Sequence, residues 1–143
     1  MASTSTIVHF FRCADNGGQA TVPAGSMVTF RSGWVTANRG LDQAFLNAVT
    51  VTASVNGTQI PNANSYWSAP ERFTPPEGGT AWVTFWTYPT GLTLGAGQSL
   101  TFTTDWTLSH QIASGDVIPP KGGTLHISAG SMFGTISCTV TGA

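Results

Sequence analysis

The sequence predicts an all-β fold: an antiparallel β-sandwich, immunoglobulin-like or jelly-roll-like, with seven to ten strands in one domain over residues 1–143. The first observation is a repeat, because residues 21–36 (TVPAGSMVTFRSGWVT) align without a gap to residues 93–108 (TLGAGQSLTFTTDWTL). A partial third copy spans 129–132. The second observation is that Gly and Pro turns separate short runs of sequence in which every second residue is apolar. A repeated turn-and-strand unit of this kind is typical of sandwiches and barrels.

The elements of the first half follow from alternation and turn residues. Residues 5–12 are β-rich and apolar on both parities, which predicts a strand covered on both sides. The next strand, 26–36, places Val28, Phe30 and Trp34 on one face. Alternation then breaks, and we expect a loop with one helical turn near 41–47. Residues 49–55 alternate again and end at the hairpin dipeptide Asn56-Gly57.

The second half begins with a long irregular segment, residues 61–79, whose four prolines prevent regular ladder pairing. Loops of this length in compact domains are often functional. Strands are predicted at 80–88, at 98–108, near 124–128 and at 132–141, with a loop over 113–123 before the last two.

The Pro-Ala-Gly-Ser turn leading into Val-Thr-Phe resembles bacterial extracellular immunoglobulin-like and fibronectin-like modules. The resemblance covers mainly residues 21–36 and 93–108, and it implies a two-sheet sandwich without implying an activity. The Cys…Trp…Cys spacing of true immunoglobulin domains is absent, since the two cysteines lie near the two ends of the sequence.

Composition excludes several classes of partner. Charged residues make up 8% of the chain, and five Lys and Arg with a net charge of −1 cannot neutralise a run of phosphates. We therefore expect no nucleic-acid binding and no attraction to anionic membranes. No apolar stretch approaches the roughly 20 residues of a membrane span, so membrane insertion is not expected. No cofactor or metal motif is found, and we predict no cofactor.

The two cysteines, Cys13 and Cys138, lie in the first and last apolar runs. Because chain ends tend to lie close together, we predict a disulfide between them; the alternative is two buried thiols. A disulfide indicates an oxidising compartment. The first six residues lack the basic and apolar regions of a signal peptide, so the chain is either intracellular or a mature secreted domain. The uncharged surface favours an extracellular or cell-surface location, with a leader already removed.

An aromatic row is the main candidate site. In the strand over residues 80–88, period-two geometry places Trp82, Trp86 and Tyr88 on one face and Val83 and Phe85 on the other. If Val83 and Phe85 face the core, the aromatic row is exposed and suits the apolar faces of sugar rings. Two alternatives remain: the aromatic residues lie in the core or beneath the loop 61–79, or they form a subunit interface.

A second candidate site is Tyr66-Trp67, which lies on the Pro-rich loop near Glu71 and Arg72. Aromatic residues on a constrained loop lose little entropy when they bind a ligand. Alternatively, Trp67 covers the edge of the core. Trp34 and Trp106 continue the apolar parity of their own strands, and we expect both in the core.

These observations favour a non-catalytic module that binds a surface or ligand, with a glycan as the expected partner. The alternative is a structural subunit, a homo-oligomer assembled through strand edges, with the apolar N-terminal run as donor strand. A hydrolase ranks third, because no catalytic motif is present and a facing carboxylate pair cannot be identified from sequence. The available carboxylates are Asp15, Asp42, Glu71, Glu77, Asp105 and Asp116.

Overall fold

The computed structural model describes residues 4–76, 78–115, 124–127, 130–131 and 134–143. Within them it contains twelve strands, two α-helices and one 3-10 turn. The two strands beyond the predicted range of seven to ten are accounted for by β5 and β11, of two residues each. In chain order the elements are β1 (Thr4–His9), α1 (Phe10–Asp15), β2 (Gln19–Val22), β3 (Ser26–Thr36), α2 (Arg39–Ala48), β4 (Val49–Val55), β5 (Thr58–Gln59), the 3-10 turn (Ala63–Tyr66), β6 (Glu71–Phe73), β7 (Ala81–Leu94), β8 (Ser99–Leu108), β9 (Ile112–Gly115), β10 (Thr124–Ile127), β11 (Gly130–Ser131) and β12 (Ile136–Gly142).

The strands form two main sheets, which confirms the predicted sandwich. Sheet A has the order β1-β3-β7-β6, and sheet B has the order β2-β12-β8-β4-β5 with β11 beside β8. Strands β9 and β10 pair separately. The strand order β1-β3-β7-β6 against β4-β8-β12 is the order of ABED and CFG in an immunoglobulin sandwich, but the parallel β1–β3 pair departs from the antiparallel sheets of that fold. Two neighbouring pairs, β1 with β3 and β2 with β12, run parallel, whereas the other pairs are antiparallel.

The N-terminal strand is shorter than the sequence predicts. Strand β1 ends at His9, and the chain turns into α1 instead of continuing to residue 12. The helical turn brings Phe10 and Cys13 to the same side of α1, because residues three apart are neighbours on a helix. Both side chains are buried. The packing of Phe10 and the Cys13–Cys138 disulfide, which forms as predicted, therefore override the β propensity of this run.

The largest buried side chains of the core are aromatic, and both sheets and both helices contribute them. Phe30 stacks on Phe102 across the two sheets, with ring centroids 4.2 Å apart. Trp106 is buried, as predicted. Trp34 is half-buried at the margin of the core, where its ring stacks on Phe45 of α2 at 4.7 Å.

The sequence repeat corresponds to a repeated structure. Gly25 and Gly97 occupy the same place in the two copies, and both have positive φ (86° and 78°), which glycine adopts without steric cost. The turns lead into β3 and β8, which lie in different sheets. The outer residues of the third copy, 129 and 132, lie outside the described residues. Asn56 and Gly57 form the predicted hairpin turn between β4 and β5, again with positive φ.

Helix α2 is longer than the single turn expected near residues 41–47. The side chain of Asn38 caps it by accepting a hydrogen bond from the Leu41 N–H at 2.9 Å. Its first turn carries Asp42, whose side chain is 0% exposed. Burial raises the pKa of Asp42 to about 6, and the Thr36 side chain opposes only part of that shift. None of the helices that the structure describes is long and apolar enough to cross a membrane.

The disulfide is expected to supply a large part of the free energy of unfolding. Its half-cystines are 125 residues apart, and the chain-entropy model gives at most about 5 kcal/mol for a loop of that length. We expect the double variant Cys13→Ala/Cys138→Ala to unfold at a much lower urea concentration. Reductant should lower the midpoint of the wild type and leave that of the double variant unchanged. Equal midpoints for both proteins would contradict this expectation.

The buried carboxyl of Asp42 is expected to make stability depend on pH. Because its pKa is raised in the folded state, the folded protein binds the proton more tightly than the unfolded chain, and stability falls as pH rises from about 4 through 6. Asp42→Asn should therefore be more stable than the wild type at pH 8, by roughly 2–3 kcal/mol, and similar to it at pH 4. Urea unfolding across this range measures the difference, and parallel pH profiles would refute the assignment.

Candidate ligand-binding site

The predicted exposed aromatic row is not formed, because Trp86 lies in the core. Its side chain is 0% exposed, and its indole N–H donates to the Ala63 carbonyl at 2.7 Å. The centroid of its ring lies 5.9 Å from that of Phe10 and 5.7 Å from that of Phe102. The alternative interpretation, that these aromatic residues lie in the core beneath the 61–79 loop, is therefore correct for Trp86. Its role as a stacking surface for a ligand was wrongly predicted.

Val83 and Phe85 lie on the outer face of sheet A instead of facing the core. Gly33 of β3 pairs with Phe85, and a Cβ at Gly33 would approach the Phe85 ring to 3.1 Å. The Arg31 guanidinium covers the same ring, 3.8 Å from its centroid. A glycine beneath the ring and an arginine above it allow Phe85 to be half-buried on a face that does not belong to the core.

Trp82 and Tyr88 are half-buried and lie on either side of Trp86 along β7. Trp82 pairs with Thr36 of β3 and with Arg72 of the edge strand β6. The six-residue separation from Trp82 to Tyr88 corresponds to about 20 Å along a strand. With Trp86 buried between them, Trp82 and Tyr88 do not form one continuous platform.

The two aromatic residues of the 61–79 loop pack against the edge of the core, which for Trp67 is the alternative interpretation. Tyr66 and Trp67 are both half-buried. The Trp67 ring contacts Phe45 at 5.2 Å and Trp106 at 4.9 Å. Tyr66 packs edge-on against Tyr88 at 4.9 Å and against Trp86 at 6.0 Å. Tyr66 and Trp67 therefore point to opposite parts of the aromatic cluster, and Tyr66 supports Tyr88.

Tyr88 lines a cleft of about 350 Å³, hereafter the Tyr88 cleft, between the far end of β7 and the edge of sheet B. The ring of Tyr88 is fixed from two directions, by the edge contact with Tyr66 and by stacking on Trp86 at 6.1 Å. The remaining lining comes from the β4–β5 hairpin and from β7: Val55, Asn56, Thr58, Gln59, Ile60, Pro61, Thr90 and Leu92.

A bulge in β7 shapes one wall of the Tyr88 cleft. Pro89 has no N–H to donate to the ladder, and the pairing with β3 shifts register immediately after it. The Thr90 hydroxyl donates to the Val28 carbonyl at 2.7 Å and accepts from the Leu92 N–H at 3.0 Å. These bonds hold the bulge open, and the Leu92 side chain is left 43% exposed beside Tyr88.

The β4–β5 hairpin forms the opposite wall. The Asn56 side-chain oxygen accepts from the Thr101 N–H at 2.9 Å, which fastens the hairpin to β8. Gln59 is exposed on the two-residue edge strand β5. Among the residues that the structure describes, the lining includes no carboxylate and no cation, so the cleft combines one fixed aromatic ring with amide and hydroxyl groups. This combination suits a neutral ligand that has both hydroxyl groups and an apolar face.

The described carboxylates are spread over four elements of the fold. Each described carboxylate lies on a different element: Asp15 ends α1, Asp42 is in α2, Glu71 is in β6 and Asp105 is in β8. Glu77 and Asp116 lie outside the described residues. Among the described residues, no group of three or more His, Cys, Asp or Glu side chains is placed to hold a metal ion.

The sequence predicts Tyr88 and Tyr66 as ligand contacts, but it does not predict the residues that complete the cleft. Thr90, Leu92 and Gln59 carry no motif. The one available indication was Pro89 followed by Gly91 after an alternating run, a pattern typical of a bulge.

No protein-family model matches this sequence, and neither do any curated proteins or solved structures. The geometry of the cleft is therefore the basis for assigning a function.

Proposed function

We propose that this protein is a non-catalytic extracellular module that binds a neutral carbohydrate in the Tyr88 cleft. The observation that carries the proposal is the fixed position of Tyr88, held by Tyr66 and Trp86 at the wall of an uncharged cleft. A ring already immobilised by its neighbours loses little conformational entropy when a ligand packs on it.

The chemistry of the lining favours a sugar over other small ligands. A sugar ring presents C–H groups on a face and hydroxyl groups around its rim. In the cleft, Tyr88 and Leu92 provide apolar surface, while Asn56, Thr58 and Gln59 provide neutral donors and acceptors. A charged ligand would leave water without gaining an ion pair, and this carries a large desolvation penalty.

The extracellular location is supported by the Cys13–Cys138 disulfide. Disulfides persist in oxidising compartments and are rare where cellular reductants keep thiols reduced. The cysteines described are both in this bond, and the charge-poor surface agrees with the same location.

Replacing the Tyr88 ring should remove binding. Tyr88→Leu keeps an apolar side chain but loses the flat aromatic face, and we expect about a tenfold to hundredfold weaker association with any glycan the wild type retains. Glycan arrays followed by titration calorimetry measure the loss. The matched control is Trp82→Leu, which removes a half-buried aromatic residue of the same strand outside the cleft. Equal losses in both variants, or undiminished binding by Tyr88→Leu, would refute the proposal.

A second candidate function, a self-associating structural subunit, is favoured by the outer face of sheet A. Two large apolar side chains there are strongly exposed, Ile7 at 49% and Val35 at 41%. The two side chains lie about 20 Å apart along the outer face, and each can anchor a partner molecule there. The predicted donor-strand role of the N-terminal run is less favoured, because β1 already pairs with β3 and Phe10 is buried in α1. Assembly through the free strand edges stays a prediction.

Self-association is tested by measuring the molecular mass of the protein in solution. Light scattering over a concentration series, on oxidised protein, should show a defined oligomer if the outer face of sheet A is an interface. Val35→Lys should then return the mass to that of a monomer, because a desolvated charge is costly at an interface. Thr50→Lys, on the outer face of sheet B, is the control. A monomer at every concentration would eliminate this second candidate.

A further inference from the structure

The Tyr88 cleft adjoins a second depression on sheet B, because Gln59 lines both. The second depression has a volume of about 330 Å³ and lies over the outer surface of the sheet. Its lining is again largely hydroxyl-bearing: Thr52, Ala53, Ser54, Gln59, Thr103, Thr104, Asp105 and Thr135. A polar path therefore leads from Tyr88 around the edge strand β5 onto the outer face of sheet B.

Residues along this path lie opposite one another in the register of neighbouring strands. Gln59 of β5 pairs with Ser54 of β4, Ser54 pairs with Thr103 of β8, and Thr103 pairs with Ser137 of β12. Residues directly opposite each other project from the same side of a sheet. These four residues, hereafter the polar row, thus stand side by side across four strands, a span of about 14 Å at the usual strand separation.

The polar row is fixed in position by contacts within the sheet. The hydroxyl oxygens of Thr103 and Ser137 lie 3.3 Å apart and share a hydrogen bond. The neighbouring pair, Thr101 and Thr139, is bonded in the same way at 3.1 Å. Hydroxyl groups that are already ordered require little further ordering when they bind a partner.

A third depression also reaches Gln59 but is less suited to a ligand. It runs toward Asn62 and Asn64. The Asn64 side chain is used within the fold, since its oxygen accepts from the Val51 N–H and its nitrogen donates to the Val49 carbonyl. The polar row offers its hydroxyl groups at a sheet surface, so we take it as the continuation of the binding site.

We propose that the ligand is a linear neutral polysaccharide bound along several consecutive sugar units. This proposal rests on the proposed function. One sugar unit lies against Tyr88 and the following units lie along the polar row, with Gln59 bridging the two parts of the site. The polar row carries no aromatic side chain, so the distant units are held by hydrogen bonds to their hydroxyl groups. Asp105, beside the row, disfavours anionic polymers. A protein partner is also disfavoured, because interface cores are depleted in serine and enriched in aromatic residues.

The test is the dependence of affinity on chain length. Calorimetry with cello-, malto- and chito-oligosaccharides, from disaccharide to hexasaccharide, is performed on the wild type and on Ser54→Ala/Thr103→Val. For the oligosaccharide series that the wild type binds, we expect the affinity to rise about tenfold from disaccharide to hexasaccharide. This is the gain expected from one or two added hydrogen bonds. The double variant should bind every length as the wild type binds the disaccharide. Thr50→Val, on the same sheet face outside the row, should retain the full length dependence.

The outcomes separate this inference from the proposed function. Tyr88-dependent binding with the same affinity at every length, or a double variant that keeps the length dependence, would overturn the polysaccharide path and leave the Tyr88 site standing. Absence of Tyr88-dependent binding to all three series would overturn both. Gln59→Ala provides a second check, because it should reduce the length dependence without altering any of the three hydroxyl groups of the row.

Discussion

The hydrogen bond from the Trp86 indole to the Ala63 carbonyl connects the core to the loop that shapes the site. A buried indole N–H needs an acceptor, and here the acceptor is backbone of the 61–79 segment. The bond holds the 3-10 turn against sheet A, and the turn carries Tyr66 to the face of the aromatic cluster where it fixes Tyr88. The fixed position of Tyr88 in the cleft thus depends on a hydrogen bond deep in the sandwich.

Alternation along the strands determined much of the architecture but not the orientation of β7. The core parity of β3 and β4 could be predicted because polar side chains, such as Thr29 and Arg31 of β3, alternate with the apolar ones. In β7 both faces are apolar, with Trp86 on one and Val83 and Phe85 on the other. The choice between them depends on β3, where Gly33 and Arg31 accommodate Phe85 on the outer face. Such a cross-strand arrangement cannot be deduced from the periodicity of one strand.

The cleft was less predictable than the fold because its lining residues come from two separate parts of the chain, 55–61 and 88–92. Turn chemistry predicted the Asn56-Gly57 hairpin, and the cysteine positions predicted the disulfide. The approach of that hairpin to the β7 bulge is a tertiary contact, however, and its members are ordinary Thr, Leu and Gln residues. Helix α1 was missed for a similar reason: local β propensity favoured a strand, whereas burial of Phe10 and Cys13 required a turn.

The disulfide also determines how the fold responds to mechanical load. Tension applied before Cys13 and after Cys138 passes through the covalent bond, because the intervening 125-residue span forms a closed ring. Strand β1 can be peeled from β3, and the last residues of β12 from β2 and β8, but the core strands between the half-cystines bear none of the pull. A module on an exposed surface would therefore keep its Tyr88 cleft intact under shear, whereas its reduced form would extend along most of its length.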